Sequence, residues 1–198
     1  MTGWANNLFD VRAEGWLTPP EAGELRELTC DKVVLEIGAW LGLSTITIAN
    51  VAKHLVSVDH HRGSPEHQQG GPCYDPTLED VNIPDGDLLR SRIDTLPRFM
   101  SNLQRNCKGG RDGISVVVAR IEQIGPLLRD AAFDVVFIDG EHSTEAATRD
   151  GELALRVVRP GGWVAFHDYN WDTVRAATAT LELGVPHRLV GTLASFRR

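Results

Sequence analysis

Positive charge is scarce in this chain. Twenty Lys and Arg face 27 Asp and Glu, and the net charge of −7 argues against a general nucleic-acid binder, which needs clustered cations on phosphate. Only a small local basic patch would leave room for such a role. Long apolar runs are missing too: no stretch approaches the roughly 20 residues of a membrane span. The start, Met1-Thr-Gly-Trp-Ala-Asn-Asn7, lacks the basic and apolar regions of a signal peptide. Cysteine is limited to Cys30, Cys73 and Cys107. That odd number without metal-like spacing reads as reduced thiols, so a cytoplasmic location without membrane association is the expectation. There is no internal repeat and no low-complexity tract. What remains, 198 residues at 42% hydrophobic and 24% charged, is the composition of an ordinary globule with a real core. One domain over residues 1–198 is expected.

Nearly continuous apolar runs begin at Val33, Leu55, Ile114, Phe133 and Trp163. Strands buried on both faces read this way, whereas half-exposed strands alternate. Helical patterns lie between them, and a terminal pair, about His187–Val190 and Leu193–Arg197, closes one edge. The expectation is an α/β fold, a doubly wound, mostly parallel seven-stranded sheet with helices on both faces. Thr18-Pro19-Pro20-Glu21 marks a helix start, with the helix running to about Thr29. Residues 1–30 would form an N-terminal helical lead-in or flap. Residues 60–85, with His60, His61, His67 and four prolines, are too long for a simple connection and read as a lid. Their histidine spacing matches no zinc pattern. A helix is expected over Gly86–Arg105, kinked or divided by Pro97, and Arg159-Pro-Gly-Gly162 should end the helix over Thr144–Val158.

The stretch Val33-Val-Leu-Glu-Ile-Gly-Ala-Trp-Leu-Gly-Leu-Ser44 is the most informative. A strand ends in Glu36 and Gly38, a second glycine follows at Gly42, and the next strand ends in Asp59. This is the layout of a nucleotide-type site at a sheet edge, where glycines admit a close ligand. A dinucleotide fingerprint wants G-x-G-x-x-G with the pyrophosphate on a helix N-terminus. Here the turn is G-x-x-x-G, and Glu36 would repel a pyrophosphate. A ligand with cationic groups and no phosphate fits better, and S-adenosylmethionine is such a ligand. Glu36, Gly38 and Ala39 would line its pocket, Asp59 would take the ribose hydroxyls, and His60 would touch the adenosine. Ser44 reads equally as a contact to the methionine carboxylate or as an ordinary helix residue.

Two further strands end in acids, at Asp139 and at His167-Asp168. If the strands are neighbours, Asp139 and Asp168 share a pocket, and close carboxylates resist joint ionisation unless a cation lies between them. Mg²⁺ suits such oxygens. His167 is a candidate third ligand, better matched to Mn²⁺, Fe²⁺ or Zn²⁺. His142, three residues past Asp139, is a candidate base for removing a hydroxyl proton. The structural alternative for the acids is a helix cap at Asp139 and a loop anchor at Asp168. Trp40, Tyr169 and Trp171 lie near strand ends, where they line an acceptor pocket or pack in the core.

Glu36-Ile-Gly38 followed by Asp59 resembles motifs one and two of class I methyltransferases. Ile138-Asp-Gly-Glu-His142, a helix containing Asp150, Arg159-Pro-Gly-Gly162 and His167-Asp168-Tyr169 resemble the small-molecule methyltransferases grouped with the cephalosporin-hydroxylase and macrolide sugar O-methyltransferase families. The resemblance covers roughly residues 16–190. It implies Mg²⁺ at Asp139 and the His167-Asp168 pair, His142 as base, Asp139 in both the catalytic and the cofactor sets, and Ala119, Arg120 and Ile121 against adenine. His167 departs from those relatives, which have a second acid there. The reading is a cytoplasmic S-adenosylmethionine-dependent O-methyltransferase of small molecules, metal-assisted, in the form of a monomer or homodimer. The rivals are a metal-independent methyltransferase, an NAD(P)-binding oxidoreductase and a non-catalytic binding module.

Overall fold

The computed structural model describes residues 4–8, 11–80, 92–107 and 113–198. Its centre is a seven-stranded sheet of order β5-β4-β3-β6-β7-β9-β8. The strands are β3 (Val33–Ile37), β4 (His54–Asp59), β5 (Ile114–Val118), β6 (Phe133–Ile138), β7 (Val158–Phe166), β8 (Arg188–Val190) and β9 (Leu193–Arg197). Strand β9 runs antiparallel to both β7 and β8, and the β5-β4-β3-β6-β7 pairs are all parallel. Successive strand residues enter opposite cores. Val34, Val135 and Phe137 face helices α1 (Pro19–Thr29), α2 (Leu43–Ala49) and α3 (Leu96–Asn106), while Leu35, Val136 and Ile138 face α5 (Thr144–Val157) and α6 (Asp172–Thr180). Burial on both faces explains why these runs are continuous rather than alternating. A one-turn α4 (Ile121–Ile124) follows β5.

From β3 the chain winds to one side through β4 and β5, and from β6 to the other through β7. The crevice beyond the carboxyl ends of β3 and β6 is therefore the topological switch point where such sheets take ligands. The two strand ends touch: Asp139 N donates to Ile37 O at 2.8 Å.

Three local expectations are corrected. Within the expected helical lead-in or flap, α1 forms as expected, but ahead of it the chain makes an antiparallel pair, β1 (Trp4–Leu8) and β2 (Val11–Gly15), where a short helix is one expectation. Ala13 and Leu17 go into the core while Glu14 and Trp16 face outward, a period of two set among polar residues. Pro97 sits in the first turn of α3, where its missing N–H costs no helix bond, so it starts the helix instead of kinking it; residues 86–91 of the expected helix and 81–85 of the expected lid lie outside the described residues. Arg159–Gly162 belongs to β7, with an irregular register against β6. Helix α5 ends as Val158 turns extended. Residues 60–80 carry two short 3₁₀ turns, Pro65–His67 and Pro76–Leu78. No helix among the described residues is long and apolar enough to cross a membrane.

Phe99 of α3 is fully buried and supports the site from below. Its ring lies 4.7 Å from that of His61, and a Cβ on Gly42 would press against it at 3.0 Å. Phe99→Ala is expected to destabilise the fold by about 3–5 kcal/mol, read from urea midpoints. A loss below about 1 kcal/mol would contradict this packing.

Candidate active site

The turn after β3 is held in shape from two sides. Gly38, Trp40 and Gly42 all adopt positive φ, at 87°, 48° and 93°. At Gly38 any Cβ would collide with the carbonyl oxygen of Asp139, so glycine is required twice over, by conformation and by contact. Above the turn, Asp59 Oδ2 accepts from the amides of Ala39 (2.8 Å) and Trp40 (2.9 Å), and Oδ1 accepts from His61 N at 2.6 Å. A carboxylate offers about four lone-pair sites. Three are filled, so Asp59 has room for one ligand hydroxyl on Oδ1 and not for two.

Below the turn, Glu36 is fully buried. It accepts from Ser44 Oγ (2.7 Å), Thr45 Oγ1 (2.7 Å) and Ser57 Oγ (2.6 Å). Burial pushes its carboxyl up to about 7, although those three hydroxyls pull the other way. Glu36 thus ties α2 and β4 to β3 and forms no part of the cleft wall. Ser44 does reach the wall, but its hydroxyl is already spent on Glu36.

The cleft above the strand ends has a volume of about 130 Å³. The other candidate cofactor, catalytic and metal residues line it: Gly38, Ala39, Ser44, Asp59 and His60 on one side; Ala119, Arg120 and Ile121 after β5; Asp139, His142, His167 and Asp168 after β6 and β7. Asp150 of α5 lines it too. A Cβ on Gly140 would come within 3.2 Å of its Oδ2, and burial pushes its carboxyl up to about 7.

At the far end, carboxyl groups outnumber imidazoles. His142 Nδ1 lies 2.8 Å from Glu66 Oε1, its Nε2 lies 3.0 Å from Asp168 Oδ2, and its ring stacks on Trp171 at 4.6 Å. Burial lowers its pKa, but the bonds to Asp168 and Glu66 outweigh that and raise it to about 10. His167 Nδ1 lies 3.2 Å from Asp139 Oδ1 and 3.4 Å from Asp168 Oδ2, with Nε2 3.6 Å from Glu21 Oε2. Despite burial, Asp139 and its other acidic neighbours keep this imidazole protonated well above its ordinary range. Asp168 itself stands at φ 52°, in the left-handed region that Asp adopts more readily than most residues.

Among the described residues, the three donors within 4.8 Å of one another are Asp139, Asp168 and His142, not His167. Both imidazoles are held protonated by these acids, and either would have to lose its proton before it could offer a lone pair to a metal. His60, His61 and His67 form no such set. They bond Arg62 N, Thr95 Oγ1 and Ser64 N respectively.

Two participants were not read from the sequence. Glu66 sits in an aperiodic segment, where only its place between Pro65 and His67 sets it apart. Glu21 was read as a helix-start acid, and it does cap Thr18 through Oε2. Its Oε1 also accepts from Thr192 N (2.6 Å), joining the β8–β9 turn to His167. Of the aromatic candidates, Trp40 lines the cleft and Trp171 backs His142, while Tyr169 packs on Phe196.

Strand order and the glycine turn clamped by Asp59 are those of the class I methyltransferase fold. The sequence profile of the methyltransferase domain family matches residues 35–169, and the chain belongs to that family. Solved structures share the fold at low identity. The cofactor-bound Rv0187 from MTB is 23% identical with a TM-score of 0.57, over 85% of this chain and 68% of that one. The O-methyltransferase TomG from Streptomyces achromogenes, involved in tomaymycin synthesis and solved with S-adenosylmethionine, is 19% identical at 0.58, over 92% and 79%. A Corynebacterium glutamicum protein is 11% identical at 0.60, over 92% and 82%.

The raised pKa of Glu36 makes a signed prediction. A carboxyl that binds its proton more tightly in the folded state stabilises the fold below its ordinary value of 4.5, and that contribution is lost as pH rises through about 7. The stability of Glu36→Gln relative to wild type should therefore improve by up to roughly 3 kcal/mol between about pH 5 and about pH 8, measured by urea unfolding. A difference that stays constant with pH would contradict it.

Proposed function

We propose that the chain moves the methyl group of S-adenosylmethionine to a hydroxyl oxygen of a small molecule. The observation that carries this reading is the placement of His142, whose Nε2 faces Asp168 beside Asp139 at the cleft wall. The adenosine lies against Ala119, Arg120 and Ile121, with one ribose hydroxyl on Asp59 and Gly38 and Ala39 giving the sugar a close backbone. An acceptor hydroxyl inserts between His142 Nε2 and Asp168. It displaces one of the two hydrogen bonds that keep the ring protonated, so the imidazole returns toward its ordinary range, releases its proton to solvent and then serves as base. The hydroxyl oxygen then forms the C–O bond as the C–S bond breaks. The electron pair leaves on sulfur, giving S-adenosylhomocysteine, and the proton ends on His142. Alignment along this line is the main contribution of the protein.

The donor chemistry also fits a divalent cation, since Asp139 and Asp168 present carboxylate oxygens with His142 within reach. When bound, such an ion supplies Lewis-acid polarisation of the hydroxyl. A metal-free reaction is the second reading. It is favoured by His167, whose imidazolium already lies between Asp139 and Asp168 and lessens their need for a metal.

Two measurements test the proposal. S-adenosylhomocysteine should bind the wild-type chain in calorimetry, and Asp59→Ala should weaken binding by at least roughly tenfold, because both the ribose acceptor and the anchor of the turn are lost. Unchanged affinity would remove Asp59 from the site. In assays of S-adenosylhomocysteine release with hydroxyl compounds, with and without Mg²⁺, His142→Ala should slow transfer by about 10²–10⁴-fold while leaving cofactor affinity nearly intact. A wild-type rate would exclude His142 as the base.

A further inference from the structure

A second cavity of about 320 Å³ lies against the cofactor cleft, and Trp16, Trp40 and Leu41 belong to the walls of both. That is the lower end of the range for small-ligand sites, enough for one or two rings. Its outer wall is the loop carrying Pro72, Cys73, Tyr74 and Pro76. This loop is tied to the candidate catalytic cluster: Cys73 N donates to the backbone oxygen of Glu66 at 3.0 Å, and the Glu66 side chain bonds His142. Cys73 also senses the charges of Glu66 and Asp168, which add to burial in raising its thiol pKa. The cavity thus shares a wall with the cleft that His142 and Asp168 line, and its outer loop is hydrogen-bonded to Glu66.

The walls present flat faces. Trp40 stacks on His67 at 4.0 Å, Trp16 lies 5.8 Å from Trp40 at 32°, and Trp16 remains 44% exposed. The carboxylates and the phenol of the walls are engaged elsewhere. Glu14 pairs with Arg98 at 3.1 Å, Asp75 Oδ1 accepts from Thr77 N and Oγ1, and Tyr74 OH donates to Glu79 at 2.7 Å. A polyhydroxylated ligand would bury hydroxyls without partners there, which is costly. A planar ring would instead meet aromatic and proline faces. The carboxylates of Glu14 and Asp75 in the wall disfavour an anionic ligand.

We propose that this cavity is the acceptor subsite and takes an uncharged aromatic compound whose ring hydroxyl points toward His142 and Asp168. The assignment rests on the methyltransferase reading above and narrows it to a substrate class.

The test titrates naphthol, with methyl glucoside as the polyhydroxylated comparator, into the full chain saturated with S-adenosylhomocysteine, followed by tryptophan fluorescence and calorimetry. Naphthol should bind saturably and the glucoside should not bind at the same concentration. Tyr74→Ala, at a residue that lines only the second cavity, should weaken naphthol roughly fivefold or more while S-adenosylhomocysteine affinity stays within about twofold. Where Tyr74→Ala fails to fold, Trp16→Ala removes an already exposed ring and reads the same loss of stacking. Cofactor binding without naphthol binding, preference for the glucoside, or naphthol binding insensitive to these substitutions overturns the acceptor assignment and leaves the cofactor reading standing. Failure of the wild-type chain to bind S-adenosylhomocysteine overturns both.

Discussion

Three backbone amides, those of Ala39, Trp40 and His61, converge on the carboxylate of Asp59. The shape of the cleft follows from that convergence. One side chain fixes the turn after β3 and the exit of β4 together, so the positive-φ backbone at Gly38 and Trp40 is imposed by its surroundings rather than by local preference. Glu36 completes the clamp from beneath through Ser44, Thr45 and Ser57. With the turn fixed, Gly38 rests on the backbone of Asp139, which sets the distance between the cofactor end of the site and its acidic end.

That acidic end has a second logic. Glu21, Glu66, Asp139 and Asp168 surround only His142 and His167. An excess of partly buried carboxylates favours any cation that arrives, whether a sulfonium or a metal ion, and disfavours a phosphate chain. The same excess explains why two histidines next to each other in space do different work. His167 is enclosed by acids and held protonated, a fixed positive charge that keeps Asp139 and Asp168 together. His142 reaches the cleft wall with one nitrogen on the Pro65–His67 turn and the other on Asp168, so its environment changes when a ligand enters.

Much of this was legible in the residues. Continuous apolar runs announce β3, β4, β6 and β7, and the rule that ligands sit beyond strand carboxyl ends brings Gly38, Asp59, Asp139, His142 and Asp168 to one cleft. Other features were hidden for physical reasons. Glu36 reads as a site acid because it precedes the turn, but its direction depends on hydroxyls at Ser44, Thr45 and Ser57 that only the fold assembles. The β1–β2 pair is encoded by a short alternation that polar neighbours disguise. Pro97 could break a helix or begin one, and spacing alone does not choose. Glu66 and Glu21 contribute through loops and a helix cap, where no periodicity points to a site.

The most direct measurement is a crystal structure of the chain grown with S-adenosylhomocysteine. The ribose should lie within hydrogen-bonding distance of Asp59 Oδ1, the adenine against Ala119–Ile121 and the sulfur toward Asp139. An occupied site elsewhere on the sheet, or a cleft that stays empty at millimolar ligand, would contradict the electrostatic reading on which the whole assignment stands.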